Sequence, residues 1–138
     1  MKRDAVARVS QERLWERHMC MARHGATAAG GVNRQALSQE EFDAWRELMG
    51  WASEDGLVAS SDPIGNLFLR LNAGAADAAP VMTGSHLDSQ PTGGKFDGVY
   101  GVLAGLEAVE AIIASGVALQ RPVEIAAGMN EVGSRVSP

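Results

Sequence analysis

Cysteine is nearly absent from this chain: Cys20 stands alone among 138 residues. No internal disulfide can form, so cross-linking is excluded as a source of stability. Long apolar runs are missing as well, and nothing in the sequence is long enough to span a bilayer. The opening residues, MKRDAVARVSQERLWERH, lack the apolar stretch of a secretory leader. Without an export signal, a cytoplasmic setting is the default expectation. Basic residues are in the minority, with twelve Lys and Arg against seventeen Asp and Glu, for a net charge of −5. That balance argues against a nucleic-acid partner, because phosphate binding needs a basic face. Histidine is scarce at three residues, and only His86 lies among other ligand-type side chains.

What is present is ordinary globular composition, 46% apolar and 21% charged. A chain of this length suits one domain with a modest core. The sixteen glycines cluster at 25–31 and 84–105, which marks tight turns and close backbone approaches more than flexible linkers. No repeat, low-complexity tract or clear domain boundary interrupts the chain.

Hydrophobic spacing outlines the elements. Ser10 is a cap for a helix carrying Leu14, Trp15, His18, Met19, Met21 and Ala22 on one broad stripe, ending near His24-Gly25. Ser38 and Glu41 form a capping box for a second helix, with Phe42, Trp45, Met49 and Ala52 on its inner face and Asp55-Gly56 at its end. Leu57–Ser60 and Asn66–Leu71 are strand candidates joined by the turn Asp62-Pro63-Ile64-Gly65, and residues 72–80 read as a loop. Val81–Ser85 is a short apolar strand. Gly98–Ser115 reads as a third helix with Val102, Leu106, Val109 and Ile113 sharing a face and Gly116 as its C-terminal cap. Val123–Ala127 is a further strand. The expected fold is therefore α/β: two N-terminal helices, a hairpin and a strand–helix–strand unit with parallel strands.

The stretch GSHLDSQPTGGKFDG, residues 84–98, holds the chemistry. His86 follows one strand and Glu131 the next; if the strands are parallel neighbours, both lie at the carboxyl ends of one sheet, where open α/β sheets bind ligands. Asp88, two residues past His86, faces the same way in extended chain and is placed to fix the histidine tautomer. Asp97 stands where the third helix begins, either as its N-cap or pointing back over the sheet edge. A histidine with aspartates and a glutamate is a donor set that zinc or manganese accepts. His18 and His24 read as helix residues, not ligands, and Trp15, Trp45 and Trp51 as packing residues. The glycines at 98, 101 and 105 lack phosphate-loop spacing and suit close packing of a helix on the sheet.

The segments GATAAGGVNR, DPIGNLFLR, GSHLDSQPTGGKFDGVYGVLAGLEAV and NEVGSR, in that order, resemble the N-terminal part of the hydantoinase/carbamoylase-type amidohydrolases. That group includes N-carbamoyl-L-amino-acid hydrolases, beta-ureidopropionases and allantoate amidohydrolases, relatives of aminoacylases and dinuclear-zinc exopeptidases. The resemblance runs from about Arg13 to the last residue and corresponds to about the first third of such an enzyme. It implies a partial metallo-amidohydrolase catalytic domain over residues 1–138, the lid domain and remaining catalytic half lying outside it. It also implies two divalent ions (zinc, manganese or cobalt) in the complete enzyme and a small N-carbamoyl or ureido substrate. His86 and Asp97 would be metal ligands, Asp97 bridging two ions; Asp88 would orient His86, and Glu131 would be the general base.

Two departures shape the expectation. The family pattern has consecutive glutamates in its last motif, the second a ligand, where this chain has Val132; Val136 replaces a phenylalanine. The remaining ligands would come from parts not present, so weak metal binding and no catalysis are expected of the chain alone. A non-catalytic remnant, an interaction fragment and one part of a split enzyme are the alternatives, with a homodimer or a complementing chain as possible assemblies. Bare strand edges and limited solubility are expected to follow.

Overall fold

The computed structural model describes residues 2–135. The chain runs α1 (Lys2–Val6), α2 (Gln11–Met21), α3 (Gln39–Glu54), β1 (Val58–Ser61), β2 (Leu67–Leu71), β3 (Val81–His86), α4 (Val99–Ser115) and β4 (Val123–Gly128). The expected α/β class, hairpin and strand–helix–strand unit are all there, and a five-residue helix, α1, precedes the two expected ones. Val136 lies outside the described residues. Among those residues no helix is long and apolar enough to cross a membrane.

Local signals set the helix ends. Ser10 Oγ accepts from Arg13 N and Ser38 Oγ from Glu41 N, each bonding one of the N–H groups left unpaired at a helix start. Glu41 reaches back one residue further than a standard capping box, its Oε2 accepting from Leu37 N at 2.7 Å. α2 ends at Met21, earlier than the expected His24. Gly25 still takes a left-handed φ of 83°, and a Cβ there would meet Asn33 O at 2.4 Å.

The sheet has the order β1-β2-β4-β3. β1 and β2 form an antiparallel hairpin, β2 pairs antiparallel with β4, and β3 pairs parallel with β4, His86 opposite Gly128. In the hairpin turn, Asp62 Oδ1 accepts from the backbone N–H of Ile64, Gly65 and Asn66. Leu67, Leu69, Ile125 and Ala127 face the helices and are buried with Leu48, Val102, Leu103 and Leu106. Alternation puts Phe68, Arg70, Glu124 and Ala126 on the other face, and none of these four is fully buried.

Three face assignments change. In α3 the innermost row is Ala44, Leu48 and Ala52, while Phe42 is 54% exposed. Phe42 lies two residues, about 200° of helix rotation, from Ala44, so both cannot point inward. Ile113, in the last turns of α4, is 42% exposed although Val102, Leu106 and Val109 are buried as expected. Trp45 and Trp51 pack against the core, but Trp15 is exposed beside the ring of Phe96, at 6.0 Å between centroids.

Candidate functional site

The parallel register of β3 and β4 brings their carboxyl ends to one rim. His86, the last residue of β3, is buried, and its ring is held from one side. Nδ1 lies 2.9 Å from the carbonyl oxygen of Asp88 and 3.5 Å from its carboxylate Oδ1. A proton on Nδ1 satisfies both contacts and leaves the lone pair on Nε2. Nε2 faces two carboxylates, Glu131 Oε2 at 3.3 Å and Asp97 Oδ2 at 3.9 Å. The four residues singled out by the sequence, His86, Asp88, Asp97 and Glu131, therefore converge around one imidazole.

Their settings differ. Asp88 is fully buried, whereas the side chains of Asp97 and Glu131 are 74% and 62% exposed. The Asp88 carboxylate does more than orient a ring: Oδ1 accepts from Glu131 N at 3.3 Å and Oδ2 from Val132 N at 3.2 Å. It thus ties the turn after β4 to the loop after β3. Burial alone would raise the Asp88 carboxyl. The His86 imidazole and the Val132 and Glu131 amides outweigh burial and hold it below the ordinary carboxylate range. The same Asp88 side chain, against the opposing effect of burial, raises the His86 imidazole above its usual value.

Sequence reasoning missed two supports. Gly98, not Asp97, is the N-cap of α4, with φ 69° and no side-chain cap bond. A Cβ on Gly98 would lie 2.4–2.5 Å from three atoms of the His86 ring, so the ring occupies space that only glycine leaves open. Arg34, fully buried, donates from Nε to Leu87 O (2.8 Å) and from Nη1 to Met21 O (3.0 Å) and His24 O (2.7 Å). Its backbone N donates to Ser89 Oγ, and Ser89 N donates back to Arg34 O. The loop His86–Ser89 is thereby clamped to the end of α2. Burial pushes the guanidinium down to about 10, which leaves it charged at neutral pH. The signals for both residues were in the sequence, a glycine directly after an aspartate and an arginine ending GGVNR, but each partner lies far along the chain.

His18 is a buried helix residue and stacks on Tyr100 at 5.8 Å. His24 pairs with Glu47 across the α2–α3 gap. Neither histidine reaches the rim residues.

The fit to a metal ion is partial. Two donors each about 2.1 Å from one ion at a tetrahedral angle stand about 3.4 Å apart, close to the Nε2–Glu131 and Nε2–Asp97 separations. Among the described residues, however, no three His, Cys, Asp or Glu side chains group closely enough to enclose an ion. Val132 brings an isopropyl group and only its backbone to this rim.

No family model matches the chain. An N-carbamoyl-L-amino-acid amidohydrolase of Rhizobium meliloti is 45% identical over 131 residues, covering 95% of this chain and 32% of that protein. A hydantoinase/carbamoylase family amidase from Burkholderia ambifaria superposes with a TM-score of 0.92 at 46% identity, over 95% of this chain and 32% of its own. The chain is a relative of the hydantoinase/carbamoylase amidases. An allantoate amidohydrolase of Bacillus subtilis is 36% identical over 115 residues, 83% of this chain and 28% of that protein. Likeness to the aminopeptidase PepT from Bacillus cereus, with a TM-score of 0.69 at 16% identity over 90% of this chain and 38% of that one, extends to the fold alone. The chain spans about a third of the length of the hydantoinase/carbamoylase relatives it matches.

Proposed function

We propose that this chain carries part of the machinery for metal-dependent hydrolysis of a linear amide or ureido C–N bond, of an N-carbamoyl amino acid or ureido acid. The observation that carries the reading is the His86 ring, anchored at Nδ1 with Nε2 turned to Glu131 and Asp97. The amidohydrolase names of the relatives give the substrate class.

In this reading His86 Nε2 and Asp97 would hold the ion, and Asp88 would fix the His86 tautomer. The chemistry a divalent metal would supply there is a water of lowered pKa and a polarised scissile carbonyl. Glu131, exposed beside the ring, accepts the proton of the attacking water and returns it to the leaving nitrogen, which departs as ammonia or an amine. The donors present do not close a coordination sphere, since such centres use three or four protein ligands. The chain by itself is therefore expected to bind metal weakly and to be inactive, with further donors needed for turnover.

Calorimetric titration with zinc or manganese, wild type beside His86→Ala, tests the reading. Weak binding that disappears in the variant is expected. Identical heats in the two proteins would remove His86 as a ligand, and ammonia release from N-carbamoyl amino acids by the chain alone would overturn the incompleteness.

A further inference from the structure

A guanidinium carries N–H donors on all three of its nitrogens, one on Nε and two on each Nη. In Arg34, Nε donates to Leu87 O, and the two hydrogens of Nη1 go to Met21 O and His24 O. Nη2 is buried with no protein partner among the described residues. A charged donor left unpaired in an interior is costly, so an acceptor is called for.

Elimination finds it. Glu41 and then Asp88 are the carboxylates whose charge supports the Arg34 guanidinium. Neither forms a direct ion pair with it among the described residues. Both Asp88 oxygens are engaged, Oδ1 with Glu131 N and the His86 ring and Oδ2 with Val132 N. Glu41 is buried too, and burial above all raises its carboxyl, opposed by the Leu37 amide and by Arg34. Its Oε2 accepts from Leu37 N at 2.7 Å, whereas Oε1 is buried without a protein partner. One unpaired donor and one unpaired acceptor thus belong to opposite charges that sense each other beyond ion-pair distance. What joins them must accept from Nη2 and donate to Oε1. A metal ion is repelled by the guanidinium, and an anion by the carboxylate. Water does both jobs, and buried polar groups held apart in this way are commonly bridged by it.

We propose that one internal water molecule bridges Arg34 Nη2 and Glu41 Oε1, and that Glu41 is thereby a positioning residue for the candidate site. The guanidinium is then held at all three nitrogens. Its Nε bond fixes Leu87 O, the carbonyl between His86 and Asp88, and the Arg34 main chain is bonded to Ser89 on both sides. A carboxylate in the first turn of α3 therefore acts, through water and Arg34, on the loop that anchors the His86 ring. The bridge stands on packing and charge; only its bearing on catalysis rests on the proposed function.

A high-resolution crystal structure of this chain tests the bridge, with an ordered water expected within about 3.2 Å of both atoms. A direct Arg34–Glu41 contact, or Nη2 bonded to another group, would overturn it. A double-mutant cycle tests the coupling. In urea titrations Glu41→Gln should lower the unfolding equilibrium constant's advantage for the native state about tenfold in the wild-type background and at least about fivefold less in Arg34→Met. A role confined to the Leu37 bond would give equal costs in both backgrounds, and equality would refute the coupling. Hydrogen exchange in Glu41→Gln should quicken at least about fivefold at Leu87–Ser89 and stay within about twofold along β4; unchanged exchange at 87–89 would end the positioning role. The crystallographic readout needs no variant, so it decides even where Arg34→Met does not fold. Neither metal nor turnover enters these measurements, so their failure leaves the hydrolytic reading intact, and failure of that reading leaves the bridge standing.

Discussion

Replacing Arg34 by methionine keeps an unbranched stem as far as the position of Nε and most of the volume while removing the donors. Three carbonyl acceptors, Leu87 O, Met21 O and His24 O, then lose their partner. At about 1.5 kcal/mol or more for each bond from a charged donor, the gross loss is roughly 5 kcal/mol. Part of that returns, because no carboxylate forms an ion pair with this guanidinium among the described residues and its desolvation cost, several kcal/mol, disappears with it. A net destabilisation of about 2–3 kcal/mol follows, or about 6–12 °C in melting temperature for a domain of this size. Arg34→Lys should be no better, since one ammonium cannot reach the positions of both Nε and Nη1. Thermal unfolding followed by circular dichroism measures the shift, and hydrogen exchange at Leu87–Ser89 reads the loosening of the clamped loop. A melting temperature within about 2 °C of wild type, or a uniform rise in exchange with nothing special at 87–89, would refute the clamp.

Other perturbations follow from the same packing. Gly98→Ala forces a left-handed φ on an L-residue, about 1–2 kcal/mol, and drives a methyl into the imidazole; the His86 ring resonances should shift in NMR spectra, and an unmoved ring would contradict the overlap. His18 is buried with neither ring nitrogen bonded, and burial lowers its pKa. His18→Leu should therefore stabilise the fold by about 1 kcal/mol in urea titrations, a loss of stability counting against it. Asp55 is pushed up to about 6, first by burial and then by its hydrogen bond to Glu110. Its folded form keeps a proton that the unfolded chain releases near 3.8, so the contribution is fully present below that value and is lost as pH rises through about 6. Asp55→Asn should remove that part of the slope between about pH 4 and 6, and superimposable stability profiles for the two proteins would refute it.

The helix starts at Ser10 and Ser38, the Gly116 stop and the hairpin were legible because each is written in a short span of chain; the convergence of the rim residues was legible because His86 and Glu131 each follow an apolar strand and the two strands are parallel neighbours. Burial faces were less so. Phe42 and Ile113 looked inward by hydrophobicity, yet helix rotation and position decide which residues meet the sheet. The supports were least visible. Arg34 acts on Leu87, 53 residues away, and the Asp88 carboxylate finds its amides 43 and 44 residues on. Such pairings are set by sheet order, and nothing local announces that β2 inserts itself next to β4. Gly98 as N-cap was hidden by the aspartate before it, the residue type that usually holds that position.

Asn66 bridges two parts of the molecule that sequence keeps far apart. Its Nδ2 donates to Asp62 Oδ2 at 2.8 Å, and its Oδ1 accepts from Met129 N at 2.7 Å. The β1–β2 bend and the segment leading to Glu131 are consequently yoked through a single amide. Lengthening or reshaping that bend would be transmitted to the rim carboxylate without any change in the residues around His86, which makes residues 62–65 a remote handle on where Glu131 stands.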